Sequence, residues 1–130
     1  MKLKNKKAII TGGGRGIGKA IAEEFAREGA DLLLISRTKS ELAKTKEELS
    51  RYNVSIIIAD LDVSLNKNAE YIAELVKKDL KGIDILVNAA GIYGAIGPLE
   101  DNDPKEWTET FAVNVFGTML VTRALIPFMK

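Results

Sequence analysis

The segment Lys7-Ala8-Ile9-Ile10-Thr11-Gly12-Gly13-Gly14-Arg15-Gly16-Ile17-Gly18 runs from a short apolar stretch into a glycine cluster. Residues 7–10 predict a buried strand that the glycines close with a turn. Beyond the turn, Ile17, Ile21 and Phe25 recur every four residues. That spacing predicts a helix with one apolar stripe, ending at Gly29. A strand, a glycine turn and a helix start together form a phosphate site. Glycine lets backbone approach the ligand, and unpaired N–H groups at the helix dipole's positive end favour negative charge.

Outward from this segment the chain alternates strand and helix patterns. Leu32-Leu33-Leu34-Ile35 is an apolar run short enough for a strand covered on both faces. Thr38-Lys39-Ser40-Glu41 has capping-box spacing ahead of a helix carried by Leu42 and Leu49. Residues 54–59 predict a third strand. Ala69, Ile72, Ala73, Val76 and Leu80 mark a third helix closed by Gly82, and residues 83–88 predict a fourth strand. Asp103-Pro104-Lys105-Glu106 is a second capping box, with Pro at the first helical position. From there the pattern stays helical to Lys130, with an interruption expected at residues 114–117. Such alternation predicts an α/β protein: a doubly wound parallel sheet with helices on both faces, in one domain over residues 1–130.

Composition narrows the possible functions. The chain has 130 residues, 46% of them apolar and 28% charged, the balance of a globular domain. Nineteen basic residues against eighteen acidic ones leave a formal net charge of +1, which gives no basis for nucleic-acid or acidic-membrane partners. With no Cys and no His, disulfides, thiolate or imidazole metal sites and a Ser-His-Asp triad are all excluded. Uninterrupted apolar runs are only a few residues long, so no membrane span is expected. The basic residues 1–7 precede too short an apolar run for a secretory signal. A cytoplasmic protein without a metal site is the expectation.

Glycine spacing separates three kinds of phosphate site. G-x-G-x-x-G started at Gly12, Gly14 or Gly16 needs glycine where Ile17, Lys19 or Ile21 stands. G-x-x-x-x-G-K-[ST] is nearly met by Gly13, Gly18 and Lys19, but Ala20 replaces the hydroxyl that holds magnesium. A P-loop nucleotide-binding protein is therefore a remote alternative. The third pattern, Thr11-Gly12-x-x-x-Gly16-x-Gly18, is present in full.

This pattern resembles the short-chain dehydrogenase/reductase family. So do Asn88-Ala89-Ala90-Gly91 at the end of the fourth strand, Asp62-Val63 after the third, and Asn114 within Val113-Asn114-Val115-Phe116-Gly117. The resemblance covers essentially the whole chain. It implies a Rossmann-like fold that ends here after the fourth strand and its following helix. It also implies hydride transfer between a nicotinamide cofactor and a small carbonyl or alcohol substrate. The cofactor-binding residues it implies are Thr11, Gly12, Gly14, Arg15, Gly16, Ile17 and Gly18 in the turn, with Asp62 and Val63 against the adenine. Asn88, Ala89, Ala90 and Gly91 complete that set, and Asn114 matches the family's catalytic Asn.

Cofactor choice is legible about 20 residues past the glycine turn, where an NAD site carries Asp or Glu on the adenosine ribose. Here Ser36 is neutral and Arg37 follows it. A guanidinium pairs with a 2′-phosphate that a carboxylate would repel, and the resemblance places Arg15 beside the same phosphate. NADP(H) is therefore expected over NAD(H).

The family's acid–base pair, Tyr-x-x-x-Lys, does not occur: Tyr52 is followed at that spacing by Ile56, Tyr71 by Leu75 and Tyr93 by Gly97. Its catalytic Ser would lie on a fifth strand. The expectation is thus the cofactor-binding first half of a longer enzyme, and the alternative is an inactive NADP-binding module. The sequence looks most like 3-oxoacyl carrier-protein reductases, although the loop over residues 92–102 carries no specific substrate signal. Trp107, Phe111 and Phe116 are expected in a core or an interface. The family's tetramers pack a helix equivalent to residues 114–129 against its copy, and here that helix is apolar on more than one side. A homo-oligomer is expected, with the open edge of the fourth strand as a second adhesive surface.

Overall fold

Side-chain alternation divides each strand between two apolar layers. Ala8 and Ile10 face one way with Leu32 and Leu34, while Ile9 faces the other way with Leu33 and Ile35. The computed structural model describes all residues from Met1 to Lys130. Its strands are β1 (Lys7–Thr11), β2 (Asp31–Ser36), β3 (Ile56–Asp60) and β4 (Ile85–Asn88). They form one parallel sheet in the order β3-β2-β1-β4. Ile9 stands level with Leu33 on one side and Leu86 on the other. The sheet is the Rossmann-like, doubly wound arrangement that the alternating pattern predicts.

Helices α1 (Gly16–Arg27) and α2 (Lys39–Leu49) cover the first face, burying Ala22, Ala26, Leu42 and Leu49. The second face is covered by α3 (Asn66–Leu75) and by α5 (Thr118–Leu125), which buries Val121 and Leu125. Between them, α4 (Pro104–Phe111) buries nothing.

Several elements depart from the sequence pattern. In α1 the buried stripe is Gly18, Ala22 and Ala26, one position beyond the expected one, and Ile17 is 77% exposed. The small residues let the helix lie close to the sheet, so Ile21 and Phe25 pack only at its margin. The first capping box does not form. Thr38 makes no side-chain cap, and its own N–H donates to Ser36 Oγ at 3.1 Å. The second cap does form, with Asp103 accepting from Lys105 N at 2.9 Å.

Residues 114–117 do not interrupt the last helix. Ala112–Gly117 widens into a π-helical segment, and one helix runs from Pro104 to Phe128. By length and composition it is apolar enough to cross a membrane, which no single apolar run in the sequence reveals. Val113, Val121 and Leu125 nevertheless pack into the core against the sheet. Trp107, Phe111 and Phe116 are not core residues; each is about half exposed.

Candidate functional site

Strands β2 and β3 lie to one side of β1 and β4 to the other, so the chain reverses its winding direction beside β1. In open α/β sheets ligands bind where the winding reverses, outside the carboxyl ends of the strands. A cleft of about 720 Å³ opens there. The glycine turn lines it, together with residues 35–38 after β2, residues 61–63 after β3, residues 89–93 after β4, and Val113. It brings together every expected cofactor residue except Thr11 and Asn88, and it does not include Asn114.

The turn is held from three sides. Gly12 N donates to Ile35 O at 2.7 Å, which ties the turn to β2. A Cβ on Gly12 would sit 2.6 Å from Ala89 O, and one on Gly18 would collide with Gly12 O. These glycines exist for close packing of β1, α1 and the β4 loop. Beneath the turn, buried Thr45 on α2 donates its Oγ1 proton to Gly14 O at 3.1 Å. Among the glycines of the turn, only Gly16 combines a left-handed φ, 58°, with a Cβ direction that meets nothing. Next to it α1 starts without a side-chain cap and without an acid in its first turn. Its N–H groups and dipole are left for an anion.

The three residues outside the cleft are supports. Thr11 is buried, and its Oγ1 accepts from Ala89 N and Ala90 N at 3.2 Å each, fixing the β4 loop to β1. Asn88 Nδ2 donates to Thr122 Oγ1 at 3.1 Å. Asn114, in the π-helical segment, accepts from Ile92 N at 2.8 Å through Oδ1 and donates to Ile92 O at 2.9 Å through Nδ2. The widened turn thus aims an amide at the loop that floors the cleft, in keeping with the frequent placement of π-turns at functional sites.

At the β2 end the cleft gathers Ser36, Arg37, Arg15 and Glu41. Arg15 Nε lies 3.9 Å from Glu41, and Arg37 Nη1 lies 3.9 Å from Glu109. The Arg15 side chain is largely exposed and that of Arg37 about half exposed. Burial disfavours the Asp62 carboxylate, but the Ser64 hydroxyl and amide donors and the nearby Arg37 charge outweigh it. Asp62 therefore titrates below its usual value. Lys19, the would-be phosphate lysine of a P-loop, instead pairs with Glu48 on α2 at 2.7 Å.

Sequence reasoning missed Thr45, Glu41, Ile92 and Tyr93 at this site. The signal for Thr45 was present: it sits between Leu42 and Leu49 on the apolar stripe of α2, where a hydroxyl must find a partner.

A glycine turn over an uncapped helix start, at the point where winding reverses, defines the class of open α/β proteins built to bind a dinucleotide. Residues 6–130 match the model of the short chain dehydrogenase family, and the chain belongs to that family. It is 37% identical over 131 residues to a short chain dehydrogenase of Pseudocercospora fijiensis, covering 98% of this chain and 42% of that protein. It is 33% identical over 130 residues to general stress protein 39 of Bacillus subtilis, covering 99% of this chain and 46% of that one. The crystal structure of L-sorbose reductase from Gluconobacter frateurii, complexed with NADPH and L-sorbose, superimposes with a TM-score of 0.91. Identity to it is 32%, over 99% of this chain and 50% of that chain. The chain spans 29% to 54% of the length of the curated relatives compared with it.

Proposed function

We propose that the cleft binds NADP(H) in preference to NAD(H), and that the protein serves hydride transfer between this cofactor and a carbonyl or alcohol substrate. The observation that carries the cofactor choice is the end of β2. Ser36 and Arg37 line the cleft where an NAD site presents a carboxylate, and Arg15 lines it from the glycine turn. The residues fit the group: Gly16 leaves open space beside an uncapped helix start, which suits a diphosphate. Gly12, Gly14, Ile17 and Gly18 complete that cradle. Asp62 and Val63 suit the adenine, and Ala89, Ala90 and Gly91 wall the far side. When bound, the nicotinamide gives or takes the hydride.

Asn114 matches the family's catalytic Asn, and its proposed role is to hold a water that relays protons to and from the acid–base pair. Its side-chain amide is committed to Ile92, so any water it holds falls to its main-chain carbonyl, which already accepts from Thr118 Oγ1 at 3.2 Å. The acid–base phenol and ammonium are assigned to parts of the protein outside these residues. The alternative, a cofactor-binding module without turnover, is favoured by one observation: no tyrosine here has lysine four residues on. Sequence likeness alone supports a 3-oxoacyl thioester as substrate, while one relative is named a 3beta-hydroxysteroid dehydrogenase and one structural neighbour an L-sorbose reductase. The half-exposed apolar outer face of the last helix supports a homo-oligomer, and a cytoplasmic location is part of the same reading.

The test is a titration of NADPH and NADH against the wild type and Arg37→Ala. The wild type is expected to bind NADPH more tightly, and the variant to lose roughly ten- to a hundredfold in NADPH affinity, the worth of one charge-assisted hydrogen bond. Equal wild-type affinities would overturn the NADP(H) assignment.

A further inference from the structure

The glycine turn and the first turn of α2 meet closely at the β2 end of the cleft. A Cβ on Gly14 would lie 3.1 Å from Ser36 Oγ and 3.2 Å from Glu41 Cβ. Glycine at this position therefore lets α2 bring Glu41 into the wall of the cleft, beside Ser36, Arg15 and Arg37. The Glu41 side chain is 34% exposed, against 79% for Arg15, and their charged groups lie 3.9 Å apart. Glu41 is also the acid in the first turn of α2, where the helix dipole favours a carboxylate. Two other carboxylates lie near Arg37: Glu109 on α4, which is outside the lining, and Asp62 after β3, which lines the cleft but is held by the Ser64 hydroxyl and amide.

The same end of the cleft thus holds two cations suited to a phosphate, and Arg15 has a fixed carboxylate, Glu41, beside it. A phosphate monoester carries close to two negative charges. To reach Arg15 it must compete with Glu41 for the guanidinium and tolerate the carboxylate beside it. A ribose hydroxyl meets no such repulsion, since a carboxylate accepts hydrogen bonds from it.

We propose that Glu41 is a specificity-determining residue, holding down the preference for the phosphorylated cofactor by occupying Arg15 and repelling the 2′-phosphate. The inference rests on the cleft being the NADP(H) site proposed above. It deepens that assignment by naming the residue that limits selectivity.

The experiment measures calorimetric binding of 2′,5′-ADP and 5′-AMP to the wild type, Glu41→Gln, Glu109→Gln and Arg37→Ala. Neither probe contains nicotinamide, so the result does not depend on turnover. Glu41→Gln is expected to tighten 2′,5′-ADP about three- to tenfold, with 5′-AMP unchanged or slightly weaker. Unchanged 2′,5′-ADP affinity overturns the inference. Equal tightening of both probes overturns it as well, because that reports a reshaped pocket and not charge. An equal gain from Glu109→Gln also overturns it, because net charge and not the placement of Glu41 would then be the cause. Arg37→Ala separates the two levels: if it leaves 2′,5′-ADP binding intact, the role given to Arg37 fails, while Glu41 is judged on its own response.

Discussion

Gly16 and Gly18 stand two residues apart and do different work. A methyl group on Gly18 runs into the main-chain oxygen of Gly12, which β1 and α1 cannot avoid without separating. Gly18→Ala is therefore expected to lower stability by about 1–3 kcal/mol, the usual cost of overpacking, read from the urea midpoint. Gly16→Ala meets no neighbour, yet its φ of 58° costs an L-residue about 1–2 kcal/mol, and the residue lines the cleft. Its signature is a fall in nucleotide affinity larger than its loss of stability explains. The third glycine of the motif was legible in the sequence, but which face of α1 it buries was not. Periodicity weighs large apolar side chains, and here the sheet accepts Gly18, Ala22 and Ala26 because they are small. Thr45→Val keeps the shape but leaves the buried Gly14 carbonyl without its donor. A loss of about 1–3 kcal/mol is expected in thermal or urea unfolding. Asp62 supplies an acid-dependent contribution. Its folded-state pKa lies below the ordinary 3.8, so its stabilising effect is fully present above that value. It disappears as pH falls through the lower folded-state value. Asp62→Asn should flatten the stability profile in that acid window and leave its slope near neutrality unchanged.

At the scale of elements, the two capping boxes read alike in sequence and differ in the fold. Asp103 caps α4 through Lys105 N, whereas Thr38 makes no side-chain cap, and its N–H, the group Glu41 would take in a capping box, donates to Ser36 Oγ at the edge of the cleft. Asp103→Ala is expected to cost about 1 kcal/mol, and Thr38→Ala only a few tenths, in equilibrium unfolding. A comparable loss from both would mean that the α2 cap forms in solution. Strand and helix order, the parallel sheet and the glycine turn were all readable because they depend on local period and turn chemistry. The continuous helix through Asn114 was not. A π-turn has no composition of its own, and Val113-Asn114-Val115-Phe116-Gly117 contains the β-branched residues and glycine that ordinarily weaken a helix. What holds that segment is tertiary: Val113 in the core and the paired hydrogen bonds from Asn114 to Ile92.

For the whole molecule, we propose that two exposed surfaces govern behaviour in solution. The long helix buries Val113, Val121 and Leu125 against the sheet and leaves Trp107, Phe111, Val115, Phe116, Met119 and Ile126 between 43% and 55% exposed. One helix cannot turn both faces to a single sheet, so the outer face is available to another surface. The second unfinished surface is β4, which pairs with β1 along one side and has no neighbour along the other. Unpaired strand edges recruit other strands. Both surfaces predict self-association, and substitution distinguishes them. Phe116→Glu with Met119→Glu places two charges on the exposed helical face without touching the core residues beneath it. If the helix is the contact, light scattering at tens of micromolar should show the unmodified protein as a dimer or larger and the double variant as a monomer. If the double variant stays associated, the helix is not the contact and pairing through a sheet edge, β4 or β3, is what remains. A clean monomer of the unmodified chain at that concentration would remove both surfaces as contacts.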